Sequence, residues 1–156
     1  MTPSDTELYR AHADELTRYA TVLVGPDDAP DVVTDAVLAA FAARGWQRVD
    51  NKRAYLFRAV LNTANSRHRS DGRRRRREHH ATLRRRRPSA PPQGEAIDVH
   101  RALDELSPQQ RAVVFLAYWD DLTAEQIAET LDVSPGTVRK QLARARARLR
   151  TVIDHD

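Results

Sequence analysis

Between Ser107 and Ser134 the chain presents three helix starts in quick succession, and their spacing leaves this half of the molecule little conformational freedom. Ser107-Pro-Gln-Gln110 offers an N-cap hydroxyl, proline at the first helical position and glutamine three residues after the cap. Thr123-Ala-Glu-Gln126 is a second capping box, with Leu122 and Ile127 at the positions of a hydrophobic staple. Ser134-Pro-Gly-Thr137 caps a further helix, with Val133 and Val138 in the same staple positions. The spacing predicts a helix over Thr123–Leu131, a turn at Asp132–Ser134 and a helix from Pro135. Two helices joined by so short a turn form a helix-turn-helix.

The last helix carries a pattern that goes beyond folding. At 100° per residue, Val138, Leu142, Ala145 and Leu149 fall within about 60° of one another and predict a buried stripe. Opposite them lie Gly136, Lys140, Ala143 and Ala147, flanked by Arg139 and Arg144. Small residues on that face let the backbone approach a surface closely while the arginines reach past it. A slim helix with basic donors near its N-terminus is what entry into a DNA major groove requires. A solvated basic face is the alternative for such a helix taken alone; the doubly capped helix and short turn before it favour DNA.

Three more helical patterns fill the first half. In Glu7–Val24, Leu8, Leu16, Tyr19 and Leu23 recur at helical spacings, before GPDDAP (Gly25–Pro30) breaks the pattern. Asp31–Arg44 follows, with Val33, Val37, Ala40 and Phe41 on one stripe and Asp31 in the first turn, where the helix dipole favours an acid. Trp46–Lys52 reads as a loop, and Arg53–Arg69 as a third helix with Leu56, Val60, Thr63 and Ala64 inward. Strand-like alternation is missing throughout, so the expected class is all-α: two small helical domains over 1–72 and 97–156. A basic, then Pro-rich linker at 73–96 joins them, ending in PSAPPQG, which cannot continue a helix. The arginine runs before it either extend the third helix or are disordered, and their mutual repulsion favours disorder unless a polyanion is present.

Charge is distributed unevenly. Residues 1–43 carry eight acids against Arg10 and Arg18, whereas residues 67–87 hold eleven arginines against Asp71 and Glu78. Such basic blocks attract polyanions, a solvated tail being the alternative. The chain has no cysteine, which excludes disulfides and thiolate metal sites. No apolar run approaches the roughly 20 residues needed to span a bilayer, and the polar N-terminus MTPSDTELYR lacks a signal-peptide core. A cytoplasmic location without membrane insertion is expected.

With these patterns in hand, Leu106–Leu149 (LSPQQRAVVFLAYWDDLTAEQIAETLDVSPGTVRKQLARARARL) resembles region 4 of the bacterial extracytoplasmic-function sigma factors. Leu106, Arg111, Glu125, Ile127, Ala128, Leu131, Gly136, Thr137, Val138, Arg139, Arg144 and Ala145 match its pattern. DDAPDVVTDAVLAAF (Asp27–Phe41) is similar to region 2.2, and AYLFRAVLNTANSRHR (Ala54–Arg69) to regions 2.3–2.4, so the likeness runs over nearly the whole chain. Pro30 and Thr34, Leu61 and Ser66, and Lys140 and Gln141 depart from the usual residues, which bears on the promoter that is read.

The resemblance implies a transcription initiation factor without catalysis of its own and without a cofactor or metal. Its partners would be core RNA polymerase, promoter DNA and an anti-sigma factor, which family members often have. Asp31, Val32, Asp35 and Leu38, with Val33 and Phe41, would bind or support the polymerase surface, ordinary core being the alternative for the apolar ones. Arg58, Asn62, Asn65, Ser66 and Arg69 would face the −10 element. The loop from Trp46 would lie where the family captures a flipped base, Trp46 as a core anchor being the alternative. Thr137, Arg139, Lys140, Gln141, Ala143 and Arg144 would lie in the major groove of the −35 element, and Arg146, Arg148 and Arg150 would meet phosphate or solvent.

Two other classes remain open from the residues. One is a helix-turn-helix regulator that never binds polymerase; the other is a basic RNA-binding protein using Arg73–Arg77 and Arg84–Arg87. The histidines His68, His79, His80 and His100 lack fixed carboxylate or thiolate partners and are set aside as metal ligands. Asp120-Asp121 marks the turn before Leu122-Thr123 rather than a catalytic pair.

Overall fold

A computed structural model describes residues 2–79 and 102–154. In chain order its helices are α1 (Pro3–Val24), α2 (Ala29–Ala42), α3 (Lys52–His79), α4 (Pro108–Tyr118), α5 (Ala124–Leu131) and α6 (Pro135–Asp154). A single 3₁₀ turn at Trp46–Arg48 precedes α3. Residues 102–104, also helical, lead into α4. Most of the expected linker lies outside the described residues.

The helix starts follow local chemistry. Ser107 Oγ accepts the Gln110 N–H at 3.2 Å while Gln110 Oε1 accepts the Ser107 N–H at 3.1 Å. Thr123 and Gln126 make the same reciprocal pair at 3.1 and 2.9 Å. Ser134 Oγ accepts the Thr137 N–H at 3.1 Å. Each cap of this kind contributes about 1 kcal/mol. Between α5 and α6, Asp132 takes the left-handed conformation (φ 57°), and the Val133 N–H reaches back to the Ala128 carbonyl at 3.0 Å. That residue turns the chain sharply enough to set α6 across α5.

α1 begins earlier than the expected Glu7. Thr2 caps it, with the Asp5 side chain accepting the Thr2 N–H at 3.1 Å and Pro3 in the first turn. Asp5 has a second role. Its other oxygen accepts the Trp46 indole N–H at 2.9 Å, which ties the 3₁₀ turn to the start of α1. Trp46 is buried beneath Phe41 and Tyr55, so it is the core anchor of this region.

α3 departs most from expectation, running ten residues past Arg69 and taking the first seven residues of the expected linker into the helix. The reason is cooperativity. Leu56, Phe57, Val60, Leu61 and Ala64 bury one face against α1 and α2. Once those turns are formed, each further residue adds a hydrogen bond without a new nucleation cost. Arginine is among the better helix formers, and its propensity here offsets the repulsion between neighbours.

The two helical units also meet. α1 packs on α4, and α3 packs on both α4 and α5. Tyr19 links the cores, its ring centroid 4.5 Å from Phe57 and 5.3 Å from Phe115. Around it Leu16, Leu23, Val113 and Leu116 are buried, forming one apolar mass across both halves. At about 1.5–3 kcal/mol for each fully buried large apolar side chain, this contact is a substantial part of the fold.

Candidate nucleic-acid interface

α6 is held by its apolar stripe: Val138, Leu142 and Ala145 are buried and Leu149 half-buried, as the spacing predicted. Gly136, Lys140, Ala143, Arg144 and Ala147 are exposed on the opposite side. Among the candidate groove residues, Arg139, Lys140, Ala143 and Arg144 therefore share a solvent-facing surface, and Thr137 is half-buried at its edge. Gln141 turns inward; its Oε1 is covered and has no hydrogen-bond partner. Arg139 contacts Glu125 of α5 through Nη2, a pair that is more than half exposed and so available for exchange with another acceptor.

The trailing arginines of α6 are less free than expected. Arg146 Nε donates to the Tyr118 hydroxyl at 2.7 Å, with its guanidinium 5.7 Å from that ring centre. Arg148 Nη1 donates to the Glu105 carbonyl at 2.7 Å. Both brace α6 against the elements behind it; Arg150 is exposed.

On α3, Arg58, Asn62, Asn65 and Arg69 recur on the face away from the core, with Ser66 beside them. Asn62, Ser66 and Arg69 are exposed, and Arg69 Nη2 donates to Ser66 Oγ at 3.4 Å. Arg58 is placed differently. It lies over the Tyr55 ring, its Nη1 is 3.7 Å from Asp132 of the helix-turn-helix, and its Nε is covered without a partner. One candidate DNA-reading residue thus faces the other unit.

The α2 candidates divide. Val32 and Val33 are fully buried core. Asp31 is exposed in the first turn, Asp35 accepts from Arg67 Nη2 at 3.1 Å, and Leu38 stands 56% exposed. Leu38, Val37 and Phe41 join Thr6, Tyr9 and Thr34 around a shallow apolar cavity of about 250 Å³ between α1 and α2.

Electrostatics fastens the two units at places that sequence reasoning missed. Arg53 Nη2 donates to Asp120 Oδ2 at 2.7 Å and also contacts Glu15, while its guanidinium covers the Phe57 ring. Hydrogen bonding to Glu15 raises the Arg53 pKa against the effect of burial. Burial pushes Glu15 up, but hydrogen bonds and charge from Arg53 and His12 outweigh it and leave the carboxyl below its ordinary value. Arg111 donates to the Leu103 carbonyl at 2.7 Å and, across the interface, to the Leu23 carbonyl at 2.8 Å at the end of α1. The only sequence hints were the family-matching Arg111 and Asp120, read as marking a turn.

Comparison with known proteins decides the family. Residues 8–74 match sigma-70 region 2 and residues 96–149 match sigma-70 region 4. The chain is 34% identical to the RNA polymerase sigma-E factor of Streptomyces coelicolor over 92% of its length and 82% of that protein. It is 33% identical to the ECF RNA polymerase sigma factor SigM of Mycobacterium tuberculosis over 96% of its length and 76% of that protein. The chain belongs to the extracytoplasmic-function sigma factors. In this sigma factor the region 2 match runs from α1 into α3, and the region 4 match takes in α4, α5 and most of α6. The fold of the sigma factor RpoE from Bartonella quintana, solved in complex with the anti-sigma factor NepR, matches with a TM-score of 0.73 over 99% of both chains at 24% identity. CnrH, solved with the cytosolic domain of CnrY, matches with a TM-score of 0.66 over 97% of this chain and 88% of that one at 26% identity. Among the described residues no helix is long and apolar enough to cross a membrane.

Proposed function

We propose that this sigma factor binds core RNA polymerase through the α2 surface of Asp31, Asp35 and Leu38, and brings it to promoters in the cytoplasm. The −10 element would be read by Arg58, Asn62, Asn65, Ser66 and Arg69, and the −35 element by Thr137, Arg139, Lys140, Gln141, Ala143 and Arg144. The observation that carries the reading is the exposed face of α6, slim in the middle and basic at its edges, on a helix-turn-helix whose other side is buried. Arginine or lysine to guanine and glutamine to adenine are the favourable base pairings, worth about 1–3 kcal/mol of discrimination each; Gln141 would have to rotate outward to take part.

The packing of the two units bears on how reading would occur. Elements centred near −10 and −35 lie about 25 base pairs apart, about 85 Å of duplex at 3.4 Å per step. Here α3 and α5 touch, and Arg58 is held against Asp132. The closed arrangement therefore cannot engage both elements together, and the units must part. Residues 80–101, at 3.3–3.6 Å each, can reach at most about 79 Å, which with the breadth of the units covers the span. An anti-sigma partner that favoured the closed arrangement would silence the factor.

Selection of bound sites from random duplex DNA by the reconstituted holoenzyme tests the reading. Two conserved blocks about 25 base pairs apart are expected. A single palindromic site, bound as well without core polymerase, would favour the polymerase-independent regulator instead.

A further inference from the structure

We propose that the last turns of α3 form a phosphate-binding rail for duplex DNA, just beyond the segment assigned above to the −10 element; the inference rests on that reading. Propagation and arginine's helix propensity let the helix continue, but no apolar burial holds its last turns in place. Its last buried residue is Ala64, and residues 65–74 are all exposed or half-exposed. Yet α3 runs to His79, about 22 Å further at 1.5 Å per residue. Over residues 65–79 there is no large apolar side chain to dock against another element, and seven arginines stand against Asp71 and Glu78. A helix that is polar all round and strongly of one sign gains most when a polyanion lies along it.

Register gives the rail its direction. At 100° per residue, Arg58, Asn62, Asn65, Arg69 and Arg73 fall within about 80° of one another, and position 76 follows on the same line. Arg69 and Arg73 are exposed along it, whereas Arg67 lies on another face, tied to Asp35. The basic extension is thus continuous with the proposed base-reading face. A duplex lying along the first would be carried onto the second.

The chemistry favours duplex over single-stranded nucleic acid. Guanidinium groups make planar, bidentate contacts to phosphate. Single-strand binders add large aromatic side chains on which bases stack, and residues 65–79 contain no Phe, Tyr or Trp, only His68 and His79. A helix extension of this length spans about two-thirds of a duplex turn.

The test is the salt dependence of holoenzyme binding to the duplex recovered by the site selection, comparing the full chain with Arg73→Ala/Arg76→Ala. Each lost phosphate contact lowers the slope of log affinity against log salt by about 0.9. The double variant should therefore lose between about one and two units of slope, keep the same bound sequence and keep its affinity for core polymerase. Arg73→Lys/Arg76→Lys should hold the slope near wild type, which a merely structural role for arginine would not predict. An unchanged slope in the alanine variant overturns the rail. So does an unchanged promoter slope together with lost binding of a single-stranded RNA, which would assign the arginines to RNA. If wild-type holoenzyme binds the duplex no better than core alone, the promoter reading fails and the rail falls with it.

Discussion

Arg53 Nη2 lies 2.7 Å from Asp120 Oδ2, joining α3 of the first unit to the turn after α4 in the second. The same guanidinium contacts Glu15 of α1 and covers Phe57, so a single side chain fastens three elements. The closed arrangement rests on this clasp, on Arg111 at the end of α1, and on the apolar contact around Tyr19. Partly exposed ion pairs contribute about 0.2–1 kcal/mol each. Asp120→Asn should raise the open population up to about fivefold without unfolding either unit. The chain has no native cysteine, so dyes at Arg18→Cys and Glu129→Cys, both exposed positions, report the change by energy transfer. Equal transfer in Asp120→Asn and the parent chain would show that the clasp does not set the equilibrium.

Asp5 makes the first unit sensitive to acid. The Trp46 indole N–H, with the Thr2 backbone N–H, holds its carboxyl below the ordinary aspartate value of 3.8, against the opposing effect of burial. A folded-state pKa that is lowered contributes stability above the unfolded value and loses it as pH falls through the folded one. The midpoint of urea unfolding should therefore drop as pH is taken below about 3.8. In Asp5→Asn, which keeps an acceptor for the indole, that part of the decline should vanish. A decline of the same size in the variant would assign it to other carboxylates.

The helix-turn-helix depends on Ile127 and Val138, both fully buried where α5 and α6 cross. Ile127→Ala should cost about 2–5 kcal/mol, since the site can collapse only partly around the missing atoms. Thr123→Ala removes the cap alone and should cost about 1 kcal/mol. Chemical denaturation followed by circular dichroism measures both. Equal losses from the two substitutions would mean that the helix crossing is not where the stability lies.

The basic residues of α6 should separate by kind. Arg139→Ala should relax discrimination at one base pair of the −35 element by about 1–3 kcal/mol. Arg150→Ala should leave sequence preference intact and lower the salt slope by about one unit if it meets a phosphate. A panel of single-base variants, bound at two salt concentrations, resolves these effects. Relaxed preference in Arg150→Ala, with none in Arg139→Ala, would reverse the assignment.

How much of this was legible beforehand depended on the distance over which each feature is decided. The starts of α4, α5 and α6 are written within four residues each, as caps and staples, and the stripe Val138–Leu149 follows from helical spacing alone. Thr2-Pro-Ser-Asp5 carries the same kind of signal and would have placed the start of α1. The run of Arg73–Arg77 misled because repulsion was weighed without the helix already formed before it. The partners of Trp46, Arg53 and Arg111 lie 41, 67 and 88 residues away. No local pattern encodes such pairs; the Trp46–Asp5 bond exists only once the first unit has folded, and the other two only once the two units have docked.

Run-off transcription tests the central claim most directly. Core RNA polymerase is combined with this sigma factor on a template bearing the selected elements, alongside core alone and a holoenzyme carrying Arg139→Ala/Arg144→Ala. Transcripts with one discrete start, absent with core alone and strongly reduced with the double variant, are the predicted result. Initiation no greater than core alone would contradict the account.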